Sequence, residues 1–283
     1  MLDELAITRD HYQAAINDPA ALLARISSAL EAHGAPITAE RMGSFDQFHI
    51  GGLASSIELA ARMDIAGDAQ VLDAGSGLGG PSRYLAEAFG CQVTGIDLAP
   101  SYVAIAQLLA DKAGVSEKVR YVAGSITDMP FPSETFDRVW TQHVVMNIRD
   151  RDSLYREIRR VLKMGGRFAF YDPYVPAGGE APHYPTPWAE SAATSTLLTE
   201  DETRASLAQA GLKVVLWEDV SEQGKDWITQ QQQQIRQLAA APTGPAFSLG
   251  WVVGPRMQPM VANFAKNIQE GRIRLVMGIC EAA

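Results

Sequence analysis

Three groups of residues have the types and spacing to do chemistry. The first is "VLDAGSGLGG", Val71 to Gly80, an apolar strand that runs into a turn with glycines at 75, 77, 79 and 80. Glycine permits φ > 0 and lets a ligand approach the backbone with no Cβ in the way, so the turn reads as a cradle. Gly75, Gly77 and Gly80 fit the G-x-G-x-x-G of a dinucleotide fold, and Gly75, Gly77 and Gly79 fit G-x-G-x-G as well. The turn alone does not choose between a nicotinamide dehydrogenase and another kind of protein. Asp73 just inside it favours the second, because a fixed carboxylate repels a pyrophosphate and suits a cationic amino-acid moiety. The second group is His143, after the fourth strand-like segment, and His49 in "FDQFHIGG". An unperturbed imidazole, with its pKa near ~6.5, suits proton transfer close to neutrality. His143 is therefore a base or a substrate anchor, against the alternative of a packed histidine. The third group is Tyr171 and Asp172 at the end of the fifth strand, with Tyr174, His183, Tyr184 and Trp188 just beyond. Such aromatics cage a cation, stack on a ring, or cover the core.

These groups need elements to hold them. Apolar residues at helical spacing from His11 to His33, among them Leu22, Leu23, Ile26 and Leu30, predict a helix that Gly34 and Pro36 end. Phe45 to Gly52 reads as a loop, and Leu53 to Ile65 as a second helix. Strands at Val71–Ala74, Gln92–Ile96, Val119–Ala123, Phe136–Thr141 and Arg167–Tyr171 then alternate with helices at Pro81–Phe89, Ser101–Ala113 and Asp152–Leu162. Helices of this length between strands make right-handed crossovers, so the sheet core should be parallel. Ligands of such sheets bind beyond the carboxyl ends of the strands, where Gly75–Gly80, Asp97, the loop after Ala123, Gln142 and His143 converge. Pro173 to Pro187 holds five prolines and reads as a loop or lid. Thr199 and Glu202 make a capping box for a helix that runs to Ala210. Leu212–Val220 is a strand, and Ser221–Ala240 and Met257–Glu270 are helices. The last apolar strand, within Arg272–Ala282, is expected to pair with its predecessor. The fold class is α/β, a Rossmann-like doubly wound seven-stranded mixed sheet with N-terminal helices and an inserted helical lid. Residues 1–66 form a helical segment with a covering loop. Residues 67–283 form the α/β domain, with insertions at 173–199 and 221–271.

Composition removes several classes. A net charge of −9 and the lack of any Lys/Arg cluster argue against nucleic acid as partner. Cys91 and Cys280 sit at the edges of apolar runs, without C-x-x-C or paired His/Cys spacing, so no metal site is expected. "MLDELAITRD" has acids and no apolar signal-peptide core, and no apolar run approaches the ~20 residues that span a bilayer. The expectation is a cytoplasmic protein that does not engage a membrane.

The segments "VLDAGSGLGG", "VTGIDLAPSYVAIA", "VRYVAGSITDMPFPSETFDRVWTQHVVMNI" and "LYREIRRVLKMGGRFAFYDP" stand in order from Val71 to Pro173. Together they resemble the class I S-adenosylmethionine (SAM)-dependent methyltransferases. "FDQFHIGG" and "EGRIRLVMGICEA" resemble the small-molecule branch that includes the sarcosine/dimethylglycine and tocopherol methyltransferases. The resemblance implies SAM as cofactor, S-adenosylhomocysteine (SAH) as product, and a small amine or hydroxyl as methyl acceptor. It further implies that Asp73, Gly75, Ser76, Gly77 and Gly79 hold the methionine part. Asp97, 22 residues after Gly75, takes the ribose hydroxyls or caps the helix at Pro100. Leu98, Ser125 and Ile126 lie along the nucleoside, with Ser125 and the Ile126 N–H at the adenine edge. Gln47 and Gln142 complete the cofactor contacts, and His49, Tyr171, Asp172 and Trp188 face the acceptor. A homodimer through the N-terminal helix fits the same reading. The competing readings are a nicotinamide-dependent oxidoreductase and a module that binds SAM without turnover.

Overall fold

The computed structural model describes residues 19–33, 37–239 and 257–283. The expected helical residues before 19 lie outside these. Helix α1 (Pro19–His33) is followed by α2 (Ala39–Asp46) and α3 (Gly52–Ala61). The α/β core then runs β1 (Gln70–Ala74), α4 (Gly80–Phe89), β2 (Gln92–Asp97), α5 (Pro100–Ala113), β3 (Val119–Ala123), β4 (Phe136–Gln142), α6 (Arg151–Val161) and β5 (Leu162–Tyr174). It closes with α7 (Glu200–Gln209), β6 (Leu212–Asp219), α8 (Ser221–Ala239), α9 (Met257–Gln269) and β7 (Arg274–Ala282). The expected mixed seven-stranded sheet is present, in the order β3-β2-β1-β4-β5-β7-β6.

Local signals account for most of the boundaries. The Thr199 hydroxyl accepts from the Glu202 N–H while Glu202 reaches back to the Thr199 N–H, so the capping box starts α7. Left-handed Gly90 and Gly114 close α4 and α5. Two expectations shift. Phe45 and Asp46 are the last turn of α2 and not loop, because Thr38 accepts from the Arg41 N–H and starts a helix that buries Met42 and Phe45. Pro173 and Tyr174 extend β5 because β7 pairs with that strand as far as Tyr174.

Strands β1 to β5 pair in parallel. Strand β7 pairs with its predecessor β6, as expected, and it also inserts antiparallel against β5. The sheet is covered on both faces. One side packs Leu59, Met63, Leu85, Ile228, Phe264 and Ile268 from α4, α8, α9 and the chain through α3. The other packs Leu154, Tyr155, Ile158 and Leu207 from α6 and α7. A further cluster joins Leu22 and Ile26 of α1 and Met42 and Phe45 of α2 to Tyr102, Ile105 and Leu109 of α5. The N-terminal helices therefore share a core with the nucleotide-fold half.

At the antiparallel seam, Gly278 lies opposite Phe170 on one side and Trp217 on the other. A Cβ there would sit 2.1 Å from the Phe170 ring, itself 5.4 Å from the Trp217 ring. Forcing a methyl into a packed interior costs about 1–3 kcal/mol. Gly278→Ala should lower the urea midpoint of unfolding by that amount with an unchanged m-value.

Candidate active site at the strand ends

The turn after β1 is shaped from both sides. Gly75, Gly77 and Gly79 have φ of 85°, 52° and 74°, in the left-handed region. A Cβ at Gly75 would lie 2.5 Å from Val144, and one at Gly79 would lie 2.1 Å from the Tyr121 hydroxyl. Those two glycines let protein pack against the turn. At Gly77 the nearest atom is the Phe48 ring at 3.6 Å. The Gly75 and Ser76 N–H groups donate to the Ile96 carbonyl at 2.8 and 3.1 Å, which ties the turn to β2.

Two carboxylates stand beside the turn. Asp73 is buried and accepts from the Ser82 hydroxyl at 2.6 Å. Burial raises its pKa to about 7, against the pull of the Ser82 hydrogen bond. Asp97 accepts from the Gly77 N–H and from the Ala99 N–H, both at 2.9 Å. Its helix-cap role does not hold: the N-cap of α5 is Ala99, with no side-chain cap. Asp97 instead braces the glycine turn. Leu98 beside it is half-buried. Ser125 accepts from the Thr127 N–H at 3.2 Å and lies 2.8 Å from the Thr127 hydroxyl, while Ile126 packs into the α6-side core.

The loop between α2 and α3 folds back over this turn and carries Gln47, Phe48 and His49. Ser56 of α3 is fully buried beneath it. Its hydroxyl lies 3.0 Å from the Gln47 carboxamide oxygen, 3.0 Å from that of Gln142, and 3.2 Å from His49 Nε2. Trp140 Nε1 donates to the same Gln142 oxygen at 3.1 Å. With their oxygens engaged, Gln47 Nε2 and Gln142 Nε2 are buried without a partner among the described residues, as is Ser76 Oγ. His49 Nε2 is 3.0 Å from the Gly52 carbonyl, which only accepts, so that nitrogen carries the proton. Ser56 was missed at the sequence level. The signal was a serine pair within the apolar "GLASSIELAA" of α3.

Beyond the turn, five rings from five separate segments meet. His143 is buried, and its ring lies 4.8 Å from Tyr171, 5.7 Å from Phe264 and 6.0 Å from His49. Trp188 stands edge-on to Phe264 at 4.8 Å. His143 Nε2 and Trp188 Nε1 have no hydrogen-bond partner among the described residues. Burial lowers the pKa of His49 to about 4, and burial beside His49 holds that of His143 well below its ordinary value. Both rings are neutral at pH 7. Phe264, from α9, is a site residue that sequence reasoning did not single out.

Asp172 does not join them. Successive residues of a strand face opposite sides, so Tyr171 meets His143 while Asp172 turns toward α6, beside Arg151, Tyr155 and Tyr174. Its Oδ1 accepts from the Val144 and Val145 N–H groups at 2.9 and 3.2 Å. Asp172 is therefore a clamp on the chain after β4, which helps to hold His143 at φ 50°, and not an acceptor contact.

Comparison with known proteins places this core in a class. Residues 72–170 match the family model described as a methyltransferase domain. The sterol 24-C-methyltransferase ERG6B of Gibberella zeae is 39% identical over 114 residues, 40% of this chain and 30% of that protein. The sarcosine/dimethylglycine N-methyltransferase of Halorhodospira halochloris is 37% identical over 106 residues, 38% of each. The chain thus spans about a third of the length of these relatives. The structure of Haemonchus contortus phosphoethanolamine N-methyltransferase 2 with SAM superposes on 97% of this chain and 59% of its own. Its TM-score is 0.72 at 19% identity, which is a likeness of fold. The sheet, the glycine turn and these matches make the core similar to methyltransferase domains. The likeness to a methyltransferase domain is carried by residues 72–170, and the dinucleotide reading of the glycine turn finds no support among these matches.

Replacing Asp172 tests the clamp. Asp172→Ala leaves two backbone N–H groups without their acceptor, about 1–3 kcal/mol each when buried. Asp172→Asn keeps an oxygen in place and should lose markedly less. Urea midpoints of the two variants should differ in that order.

Proposed function

We propose that the protein is a SAM-dependent methyltransferase acting on a small-molecule acceptor. The observation that carries this reading is the set of unpartnered polar atoms around the glycine turn. Ser76 Oγ, Gln47 Nε2 and Gln142 Nε2 are buried without partners among the described residues, a state that costs about 1–3 kcal/mol per group unless a ligand supplies the bond. The donor set suits SAM. The Asp73 carboxylate fits an ammonium, and Asp97 at the end of β2 fits ribose hydroxyls. The carboxamide N–H groups of Gln47 and Gln142 fit a carboxylate or other acceptor atoms.

SAM when bound supplies an activated methyl group. The chain's own residues then have three tasks. The glycine turn with Asp73 and Asp97 holds the donor, and the Gln47–Gly51 loop, pinned through Ser56, shuts water out. The ring cluster aligns the acceptor. Alignment in a closed site is worth about 7–11 kcal/mol of barrier, so no elaborate acid–base machinery is required. His143 serves as base or anchor, with His49, Tyr171 and Trp188 beside it. A non-catalytic SAM-binding module would show binding without a methylated product. A cytoplasmic location and a homodimer through the N-terminal helix belong to the same proposal, the latter read by light scattering. Among the described residues no helix is long and apolar enough to cross a membrane.

Thermal unfolding with SAH or NADH tests the cofactor. SAH at one hundred times its dissociation constant adds about 2.7 kcal/mol to the native state. A shift with SAH and none with NADH is expected, and a shift with NADH alone would refute the proposal. The Asp73 carboxyl, with its pKa at about 7, is neutral below that pH and charged above it, while the SAH amino group stays cationic. SAH affinity should therefore rise from about pH 6 to about pH 8, by at most about tenfold per unit. Asp73→Asn should flatten that rise in calorimetric titrations.

A further inference from the structure

The five-ring cluster has a composition that narrows the acceptor. His49, His143, Tyr171, Phe264 and Trp188 come from the α2–α3 loop, the end of β4, β5, α9 and the proline-rich lid. Among the described residues, none of these five side chains makes a hydrogen bond or ion pair with a Lys, Arg, Asp or Glu side chain. The carboxylates that act on Tyr171, Glu58 and Asp172, do so from a distance. Glu58 pairs with Arg62 and Asp172 with the Val144 and Val145 N–H groups. The buried cation nearest to Asp172, Arg151, belongs to the opposite face and donates to the Thr196 carbonyl.

A carboxylate or phosphate brought into such a place would lie desolvated with no counter-charge among the described residues, which is prohibitive. The rings reward an apolar body. Two atoms still ask for a partner: His143 Nε2 and Trp188 Nε1, on residues 9% and 8% exposed. Both rings border Phe264. The indole N–H only donates, and His143 Nε2 accepts in the neutral tautomer that carries its proton on Nδ1.

We propose that this cluster is the acceptor subsite and that the acceptor is a neutral hydroxyl compound with an apolar body, methylated on oxygen; this rests on the methyl-transfer reading above. The choice of oxygen follows from counting lone pairs and protons. A hydroxyl donates its proton to His143, accepts from Trp188, and keeps a second lone pair for the methyl carbon. A neutral amine has one lone pair, so it cannot both accept from Trp188 and attack. An unsaturated carbon satisfies neither atom. In the transfer, His143 Nε2 takes the hydroxyl proton as the new O–CH3 bond forms. The electrons of the broken C–S bond stay on sulfur, which becomes neutral. The positive charge lost there reappears on the imidazolium, so the pocket's net charge is unchanged. Solvent takes the proton when the product leaves.

Three probes of one shape test this: para-propylphenol, para-propylaniline and para-propylbenzoate. Each is titrated calorimetrically into the full chain with and without saturating SAH. The phenol should bind at least tenfold more tightly than either of the others, and mass spectrometry should find its methyl ether when SAM is present. Trp188→Phe keeps the ring and drops the N–H, and His143→Asn keeps a residue that tolerates φ > 0. Each should weaken the phenol about tenfold while leaving the SAH-induced thermal shift intact. Equal or tighter binding of the aniline or benzoate, binding of none, or phenol affinity indifferent to both variants overturns the subsite. Phenol binding with no response to SAH would sink the methyltransferase reading and leave the subsite standing.

Discussion

The arrangement depends on one buried ion pair, Arg83 with Asp46. Arg83 stands in the first turn of α4, just past the glycine turn, and Asp46 ends α2. Arg83 also donates to the Leu78 carbonyl at 2.8 Å, so a single guanidinium fastens the turn and the N-terminal segment together. Neither side chain is more than 2% exposed. Taking two charges out of water is costly, and only close, hydrogen-bonded pairing offsets it. The cost is visible in Asp46, whose pKa burial raises to about 6 against the attraction of Arg83. The pair is better understood as a locator than as a net source of stability. Gly80 shows how closely the two segments meet there: a Cβ would strike the Asp46 carbonyl at 2.7 Å and Gln47 Nε2 at 2.8 Å. From Asp46 the next residues run across the glycine turn, where Phe48 lies over Gly77.

That loop divides the crevice into two chemically different halves. On the turn side stand carboxylates, hydroxyls and carboxamides, with Ser56 engaging the oxygens of both glutamines and leaving their N–H groups free. On the other side stand rings, with neutral imidazoles and an indole that has no partner among the described residues. Under the proposed function, a polar half for the charged donor and an apolar half for its acceptor is a sensible division for a displacement that water would quench. The alternation of β5 keeps the halves distinct from the structural machinery. Tyr171 faces the crevice, and Asp172 on the reverse face holds the chain after β4 in place.

The elements were largely legible from local chemistry. The glycine turn, the Thr199–Glu202 capping box, the strand–helix alternation and the carboxylate positions at 73 and 97 all follow from rules that act within a few residues, so the sequence by itself determined the fold class and the outline of the glycine turn. What it left open involves partners far apart in the chain. Whether Asp97 caps α5 or braces Gly77 is decided by the Gly77 N–H, which β1 and β2 bring 2.9 Å from its carboxylate. Whether Asp172 binds a ligand or clamps the backbone depends on strand phase and on the neighbouring strand. The ring cluster was least legible, because its five rings come from segments spread between residues 49 and 264, and no periodicity encodes their meeting. Sheet closure decided it: β7 inserts between β5 and β6, and α8 and α9, which lead to it, pack over the face of the sheet where Tyr171 and His143 emerge. Short-range hydrogen-bonding and φ preferences are written residue by residue, whereas a desolvated pocket exists only once distant surfaces close on it.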